Sequence, residues 1–487
     1  MLRNILTTYR PATVKLDCFD DEAVSLTTPS HPEANVGFRK ETEENMSVRT
    51  RRILTAGAVV MAATIGLTAC GSSGPQSGAG GGDDASVTMW GLTNAPMQDI
   101  MTESVATWNE KNPDGTIKID FFANDAYKTK VRTAIGAGDG PTFIYGWGGG
   151  ILKSYVDAGE VVDLTPFIEE NPELKDRYIQ SVADNGVIDG ATYALPNNYT
   201  QPVVMYYNKE VFEQVGATPP ETWEELMGLV DTFNDAGIAP FSLGGQSKWP
   251  NLMWLAYLVD RIGGPEVFQA VLDGEEDAWS DPAVIEALTK IQELVDAGGF
   301  VEGFSSIAAD TNADQALLYT GKAAMMLHGA WVYSSIKADA GDFVPNGNLG
   351  FAPFPSVEGG VGDPANVTGN PSNFWSISSK ATPEQQGIAV DYLLNGMLNE
   401  AYVDQLIAAG SVPVVTGIDD KIAAADDKEF LSMVYDMTAN APSFQQSWDQ
   451  ALSPAQADAM LTNLDLIFIG EQTPQEFADI MNGTLGR

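Results

Sequence analysis

SVTMWGLTNAPMQDIMTESVATWNEKNPDGTIKIDFFANDAYKTKVRTAIGAGDGPTFIY, residues 86–145, is the stretch that decides the fold class. Ser86-Val87-Thr88-Met89-Trp90 reads as a first strand. A helical stretch follows in which Ile100, Val105 and Trp108 fall on one face. Thr116 to Phe122 alternates, with Ile117, Ile119 and Phe121 on one side, as a second strand should. Tyr127 to Ala137 reads as a helix, ended by the run from Gly136 to Pro141. Thr142 to Tyr145 is a short buried strand that runs into Gly146-Trp147-Gly148-Gly149-Gly150. Strands alternating with helices require right-handed crossovers, so a mostly parallel sheet is expected.

Toward the C-terminus the chain becomes helix-rich, with explicit start signals. Thr222-Trp223-Glu224-Glu225, Thr382-Pro383-Glu384-Gln385, Ser453-Pro454-Ala455-Gln456 and Thr473-Pro474-Gln475-Glu476 all read as capping boxes. The last three carry Pro at the first helical position, where its missing N–H costs nothing. The fold class is therefore α/β with a helical C-terminal portion. Roughly 400 residues from Val87 onward exceed what one core supports, so two lobes are expected.

Upstream, Arg49, Arg51 and Arg52 precede an uncharged run from Ile53 to Leu67 that ends in Leu67-Thr68-Ala69-Cys70. A basic region, a short apolar run and small residues before a cut site are the layout of an export signal. The run is shorter than the ~20 apolar residues that span a bilayer. Leu67 to Cys70 resembles the lipobox of bacterial lipoproteins, which implies cleavage before Cys70 and a lipid on its sulfur. The simpler alternative is a plain secretory signal with an incidental cysteine. Residues 70–86, rich in Gly, Ser and Ala after Cys70, then form a flexible tether. Residues 46–69 are the signal on this reading, with Met46 as the true start. Residues 1–45 are then a mis-called N-terminal extension.

The chain carries a net charge of −40, and residues 1–69 are themselves neutral, with eight basic and eight acidic side chains. So acidic a surface repels phosphate backbones and anionic headgroups, which argues against nucleic acid and suits a neutral or cationic ligand. Cys18 and Cys70 are the only cysteines and neither falls in the folded part, so no disulfide framework or thiolate metal site is expected. His328 is the single histidine past residue 31, which makes a His-clustered metal or a His-based triad unexpected. No cofactor is expected.

Asp310-Thr311-Asn312-Ala313-Asp314 begins like a calcium loop, but Gln315 replaces its glycine and Gly321 its bidentate glutamate. The glycines at 136, 138 and 140 have the wrong spacing for a dinucleotide fingerprint. The aromatics are more informative. Trp90, Trp147, Trp249, Trp254, Trp331, Trp375 and Trp448 are scattered, and many neighbour Gly, Asn, Ser or Pro. Sugars present C–H faces that pack on aromatic rings and hydroxyl rims that need amides and carboxylates. Asn94 near Trp90, Asn251 near Trp249, and Asn370 and Asn373 near Trp375 supply such neighbours. Core filling is the competing explanation for any single tryptophan.

With these residues in view, the chain resembles the extracellular solute-binding proteins of carbohydrate ABC importers, over nearly all of the part past the tether. The most specific stretch runs from Gly321 to Trp331 and is similar to the family's Gly-x-Ala-x-Met strand followed by a Gly-x-Trp helix start. Residues 137–141, 206–209 and 220–225 match scaffold signatures. The resemblance implies two α/β lobes, 87–196 with about 370–428 and about 201–366 with 430–487, and ligand held between them. It implies hinge crossings at Leu195–Asn198, at Thr368–Asn370 and near residue 430. It places stacking aromatics at Trp331 and Trp448, polar contacts at Asn94 and Gln201, and a further wall at Trp249 and Asn251; Asn373, an amide beside Trp375, is a further ligand-binding candidate from its neighbourhood alone. At Trp147 to Gly150 the family's maltose binders carry charged groups, so a differently shaped subsite with Trp147 as platform, or with the backbone near the ligand, is expected there. The implied function is capture of a di- or oligosaccharide by a monomeric, lipid-anchored receptor on the outer face of the cytoplasmic membrane, for delivery to an importer permease. No bond is broken. Polyamine or peptide binding, and secreted glycoside hydrolysis, are the alternatives.

Overall fold

A computed structural model describes residues 86–486. Cys70, the export signal and residues 1–45 lie outside the described residues. In chain order the first strands are β1 (Val87–Leu92), β2 (Ile117–Phe122), β3 (Phe143–Gly146), a small hairpin of β4 (Val187–Ile188) and β5 (Ala191–Thr192), and β6 (Leu195–Pro196). Then come β7 (Gln201–Asn208), β8 (Ala239–Ser242), β9 (Ala323–Gly329) and β10 (Leu349–Ala352). The last three are β11 (Val367–Asn370), β12 (Phe374–Ile377) and β13 (Phe444–Gln446).

They form two principal sheets. The first has the order β2-β1-β3-β12-β6 and is parallel across β2, β1 and β3, joined by the helices α1 (Met97–Lys111) and α2 (Asn124–Ala137). α1 buries Met97, Ile100, Met101, Val105 and Trp108 along one face, and Trp108 ties the helix to its exit loop by donating to the Gly115 carbonyl at 3.0 Å. α2 closes on Gly138 at φ +77°, a left-handed cap that only glycine adopts cheaply. α3 (Gly149–Asp157) follows β3 directly.

The second sheet departs from the parallel expectation. Its long strand β7 pairs antiparallel with β9, β10 and β11, while β8 with β9 and β11 with β13 are parallel. β7 enters this sheet from the other lobe through residues 197–200, with no crossover helix to impose direction, so the handedness rule for parallel units does not apply to it. Alternation along β7 sends Val203 and Met205 into one core and Val204 and Tyr206 into the other. The core that takes Val204 and Tyr206, the first, also gathers Met89, Phe143 and Trp375. The second gathers Phe241, Trp254, Trp279 and Trp448.

The four capping boxes are all formed, each with both reciprocal hydrogen bonds, at Thr222/Glu225, Thr382/Gln385, Ser453/Gln456 and Thr473/Glu476. The chain passes between the sheets at residues 197–200, at 371–373 and ahead of the helix Lys428–Ala439, whose Phe430 stacks on Tyr333 and lies against Tyr206 of β7. These crossings are buried and polar: Asn197, Asn198, Thr200 and Ser372 have no exposure, and Asn198 accepts the Tyr402 hydroxyl at 2.9 Å.

Candidate functional site

β1 and β3 release their chains at the same edge of the first sheet, and loops leaving the carboxyl ends of α/β strands are where side chains converge on a ligand. From β1 comes Asn94, and from β3 come Tyr145 and, one residue past its end, Trp147. Lys128 joins them from the first turns of α2. Facing them, the second lobe supplies Gln201 at the start of β7, Trp249 at the head of the helix Trp249–Gly263, Trp331 just past β9, and Asn370 at the end of β11. Asn373 comes from the crossing between the sheets. Together they enclose a cleft of about 370 Å³, at the small end of the ~300–1,000 Å³ range of small-molecule sites.

The aromatic wall has a defined geometry. Trp249 and Trp331 lie with centroids 6.0 Å apart at 47°, and His328 stands edge-on to both at 5.3 and 5.2 Å. Trp331 folds back across the end of β9: a Cβ at Gly329 would lie 1.7 Å from its ring. The Gly329-Ala330-Trp331 spacing is thus a packing requirement, because only a residue without a side chain leaves room for the indole. Behind His328, its Nε2 stands 3.4 Å from the buried Asp314 Oδ2. Opposite, Trp147 meets Tyr145 edge-to-face at 5.7 Å, and Lys128 Nζ lies 5.0 Å from the Trp147 ring centroid.

The polar lining alternates donors and acceptors. Burial pushes the Tyr145 and Tyr199 hydroxyls well above the ordinary tyrosine range, so both remain neutral hydrogen-bond groups; Asn94 and Gln201 beside Tyr199 offset part of this. Burial also raises the Asp310 carboxyl, opposed by the backbone N–H of Asp125, which donates to Asp310 Oδ2 at 2.9 Å across the lobes. Trp249 Nε1 and Gln315 Oε1 are buried without a partner among the described residues, and both residues line the cleft. Buried polar groups are ordinarily hydrogen-bonded, so these are groups a ligand can satisfy. Among the described residues no three His, Cys, Asp or Glu side chains are grouped to hold a metal ion.

Of the residues the sequence singled out, Asn94, Trp147, Gln201, Trp249, Trp331 and Asn373 line the cleft and two do not. Trp448 is 1% exposed inside the second core, stacked on Phe268 at 4.2 Å and 5°, with its Nε1 donating to Gln445 Oε1 at 2.7 Å. Its neighbours Asp449 and Gln450 face the cleft instead. The turn at Ser447 leaves the indole no path to solvent. Asn251, fully buried two residues past Trp249, does not line the cleft. Of the glycines after Trp147, Gly148 packs on the Asn185 carbonyl of its own lobe, while Gly149 and Gly150 meet the other lobe. A Cβ at Gly149 would lie 2.3 Å from Gln446 Oε1, and one at Gly150 would lie 2.4 Å from the Ala451 carbonyl. Trp90 and Trp375 are also outside the cleft; Trp90 packs on Phe122 at 5.4 Å and Trp375 is core.

Tyr145, Tyr199, Lys128, Asp310, Gln315, His328, Asp449 and Gln450 line the cleft without having been singled out. The stretch that mimics a calcium loop, 310–314, contributes Asp310 and Asn312. Its carboxylate- and amide-rich composition was the one available signal.

Comparison with known proteins bears on the same residues. A family model described as bacterial extracellular solute-binding protein matches residues 94–395. An uncharacterized ABC transporter extracellular-binding protein of Pyrococcus horikoshii is 26% identical over 42% of this chain, an alignment that spans only 45% of the relative's own length. A probable sugar-binding periplasmic protein of Rhizobium meliloti is 26% identical over 65% of this chain and 72% of its own. A solved structure described under xylan utilization by the thermophilic bacterium Caldanaerobius polysaccharolyticus superposes with a TM-score of 0.75 at 29% identity, covering 82% of this chain and all of its own. The family match, over residues 94–395, falls on the part that holds the cleft.

Proposed function

The chain belongs to the bacterial extracellular solute-binding proteins, and from that premise we propose that it captures a sugar of more than one ring and delivers it to an ABC importer. The observation that carries this reading is the pairing inside the cleft: Trp147, Trp249 and Trp331 as platforms, with Asn94, Asn370, Asn373, Gln201 and Gln315 around them. Indole faces complement the C–H faces of a pyranose, and amides both donate to and accept from hydroxyls, so the lining fits sugar on both counts. The relatives described as sugar-binding and xylan-related support the same class.

The working cycle on this reading is binding followed by lobe closure, with ligand stabilising the closed form because only that form lets both walls touch it. The crossings at 197–200 and 371–373 and the one near residue 430 are the hinges. The lobes are 87–196 with about 370–428, and about 201–366 with 430–487. No bond is broken, and the protein acts as a monomeric receptor. Its lipid anchor is Cys70, a reading supported by the lipobox-like Leu67-Thr68-Ala69-Cys70, and it holds the receptor on the outer face of the membrane beside the permease.

A thermal-shift screen of the full chain against mono-, di- and trisaccharides tests the function. A ligand present at about a hundred times its dissociation constant adds roughly 2.7 kcal/mol and raises the melting point visibly. A flat response to every sugar would remove the sugar reading while leaving the fold untouched. One feature favours a second solute class. Asp310, Asp339 and Asp449 face the cleft against the single cation Lys128, so spermidine belongs in the same screen.

A further inference from the structure

Lys128, Tyr145, Trp147, Asp449 and Gln450 line not only the ligand cleft but also a second cavity of about 60 Å³ at the seam between the lobes. These side chains form a partition with one space on each side. Beyond it, the second cavity is bounded by Val131 and Tyr155 of the first lobe and by Ala457 and Leu461 of the second.

The partition is built from both lobes and held at every member. Lys128 Nζ stands 3.3 Å from Asp449 Oδ2, with the carboxylate side chain only 6% exposed. Gln450 Nε2 donates to that same oxygen at 2.6 Å, and the Ser447 hydroxyl donates to Asp449 Oδ1 at 2.7 Å. Gln446 Nε2 donates to the Trp147 carbonyl at 2.6 Å, while the Trp147 ring rests edge-on against Tyr145 and Tyr127. A buried ion pair is expensive to separate, because each charge would be left in a poorly solvating site.

We propose that the Lys128–Asp449 pair and Trp147 form a chain-length stop: they end the bound oligosaccharide at this end of the cleft. The inference rests on the sugar-binding reading. A ligand that fits within the cleft lets the pair form and the lobes close. One that is a ring longer must part Lys128 from Asp449 or displace the Trp147 ring, because the space behind is far below the volume of a small-molecule site. Lys128 and Asp449 are therefore specificity-determining residues for length, independent of which sugar face the tryptophans recognise.

The test is isothermal titration of the full chain with three ladders: xylose to xylohexaose, glucose to maltohexaose, and N-acetylglucosamine to chitohexaose. The variants are Lys128→Ala, which removes the half-buried lysine from the partition, and Trp147→Ala, which opens it independently should the first fold poorly. For the wild type, affinity is expected to rise with length and then fall sharply past one length. In both variants the optimum moves to a longer ligand, and the next-longer sugar gains on the former optimum by about tenfold, or ~1.4 kcal/mol. Variants that weaken all lengths in parallel, or a wild type indifferent to length, would overturn the stop while leaving sugar binding intact. Failure of every ladder to bind the wild type would instead overturn the sugar reading on which it stands.

Discussion

The side-chain amide of Gln201 donates to the amide oxygen of Asn373, so two of the three polypeptide crossings between the sheets are joined to each other directly beneath the ligand cleft. Both side chains are buried, at 4% and 3% exposure, and both line the cleft. The contact spans 172 residues of sequence. Crossing segments and cleft floor are therefore one structure, and a ligand hydrogen-bonded to either amide acts on the segments about which the lobes would turn.

Replacement of Gln201 by Leu leaves the Asn373 oxygen buried without its donor. An unsatisfied buried acceptor costs about 1–3 kcal/mol, so unfolding by urea should show a reduced midpoint with unchanged slope. The double variant Gln201→Leu with Asn373→Leu should recover part of that loss. A double variant as unstable as the sum of the singles would show that the two amides do not act as a pair.

Trp331 and Trp448 are expected to separate cleanly. Trp448→Ala empties a stacked core position, for which the usual cost is ~3–5 kcal/mol, and it lowers the melting temperature strongly. Trp331→Ala removes a wall of the cleft: ligand affinity should fall by about 30-fold, near 2 kcal/mol, with a smaller change in stability. Calorimetry and melting curves on both variants decide this, and the assignment is wrong if Trp448→Ala is the variant that loses ligand while keeping its melting temperature.

Gly329 and Gly150 should each reject a methyl group for different reasons. Gly329→Ala drives a Cβ into the Trp331 ring and should weaken binding by moving the platform. Gly150→Ala meets the carbonyls of Ala451 and Leu452 in the other lobe, at 2.4 and 2.5 Å. Carbonyls of the backbone cannot swing aside as a side chain can. Small-angle scattering of Gly150→Ala with ligand should therefore show a larger radius of gyration than the wild type with ligand. Equal radii would mean the seam yields.

At the C-terminal helix, Glu476 completes a capping box, and its carboxyl lies below the ordinary 4.5 because the Thr473 backbone N–H and then the Thr473 hydroxyl bond its charged form. A carboxyl lowered in the folded state stabilises above its unfolded value, and that stability is lost as pH falls through the lowered one. Glu476→Gln should therefore lose the stabilisation that the wild type holds above about 4.5, and so flatten the acid limb, while matching the wild type at low pH where Glu476 is protonated. Thr473→Ala should cost about 1 kcal/mol at neutral pH, read by chemical denaturation. An unaltered acid limb in Glu476→Gln would exclude the capping box as a source of acid sensitivity.

The four capping boxes were legible because each is closed between residues three apart, whatever the rest of the chain does. The same holds for the first strands and for α1 and α2, whose apolar periods lie within single elements. Local chemistry of this kind determined the α/β class, the helical C-terminal half and the presence of spare tryptophans beside amides. Which tryptophan faces ligand was a matter for the tertiary structure alone. Trp331 and Trp448 each open a helix after a turn, yet one lies across Gly329 at the cleft and the other stacks on Phe268 in the core. The antiparallel entry of β7, the use of Gly149 and Gly150 as a seam and the Lys128–Asp449 pair were equally beyond the sequence. Side-chain exposure is set by what arrives from elsewhere in the chain, and at the partition that partner comes from 321 residues away.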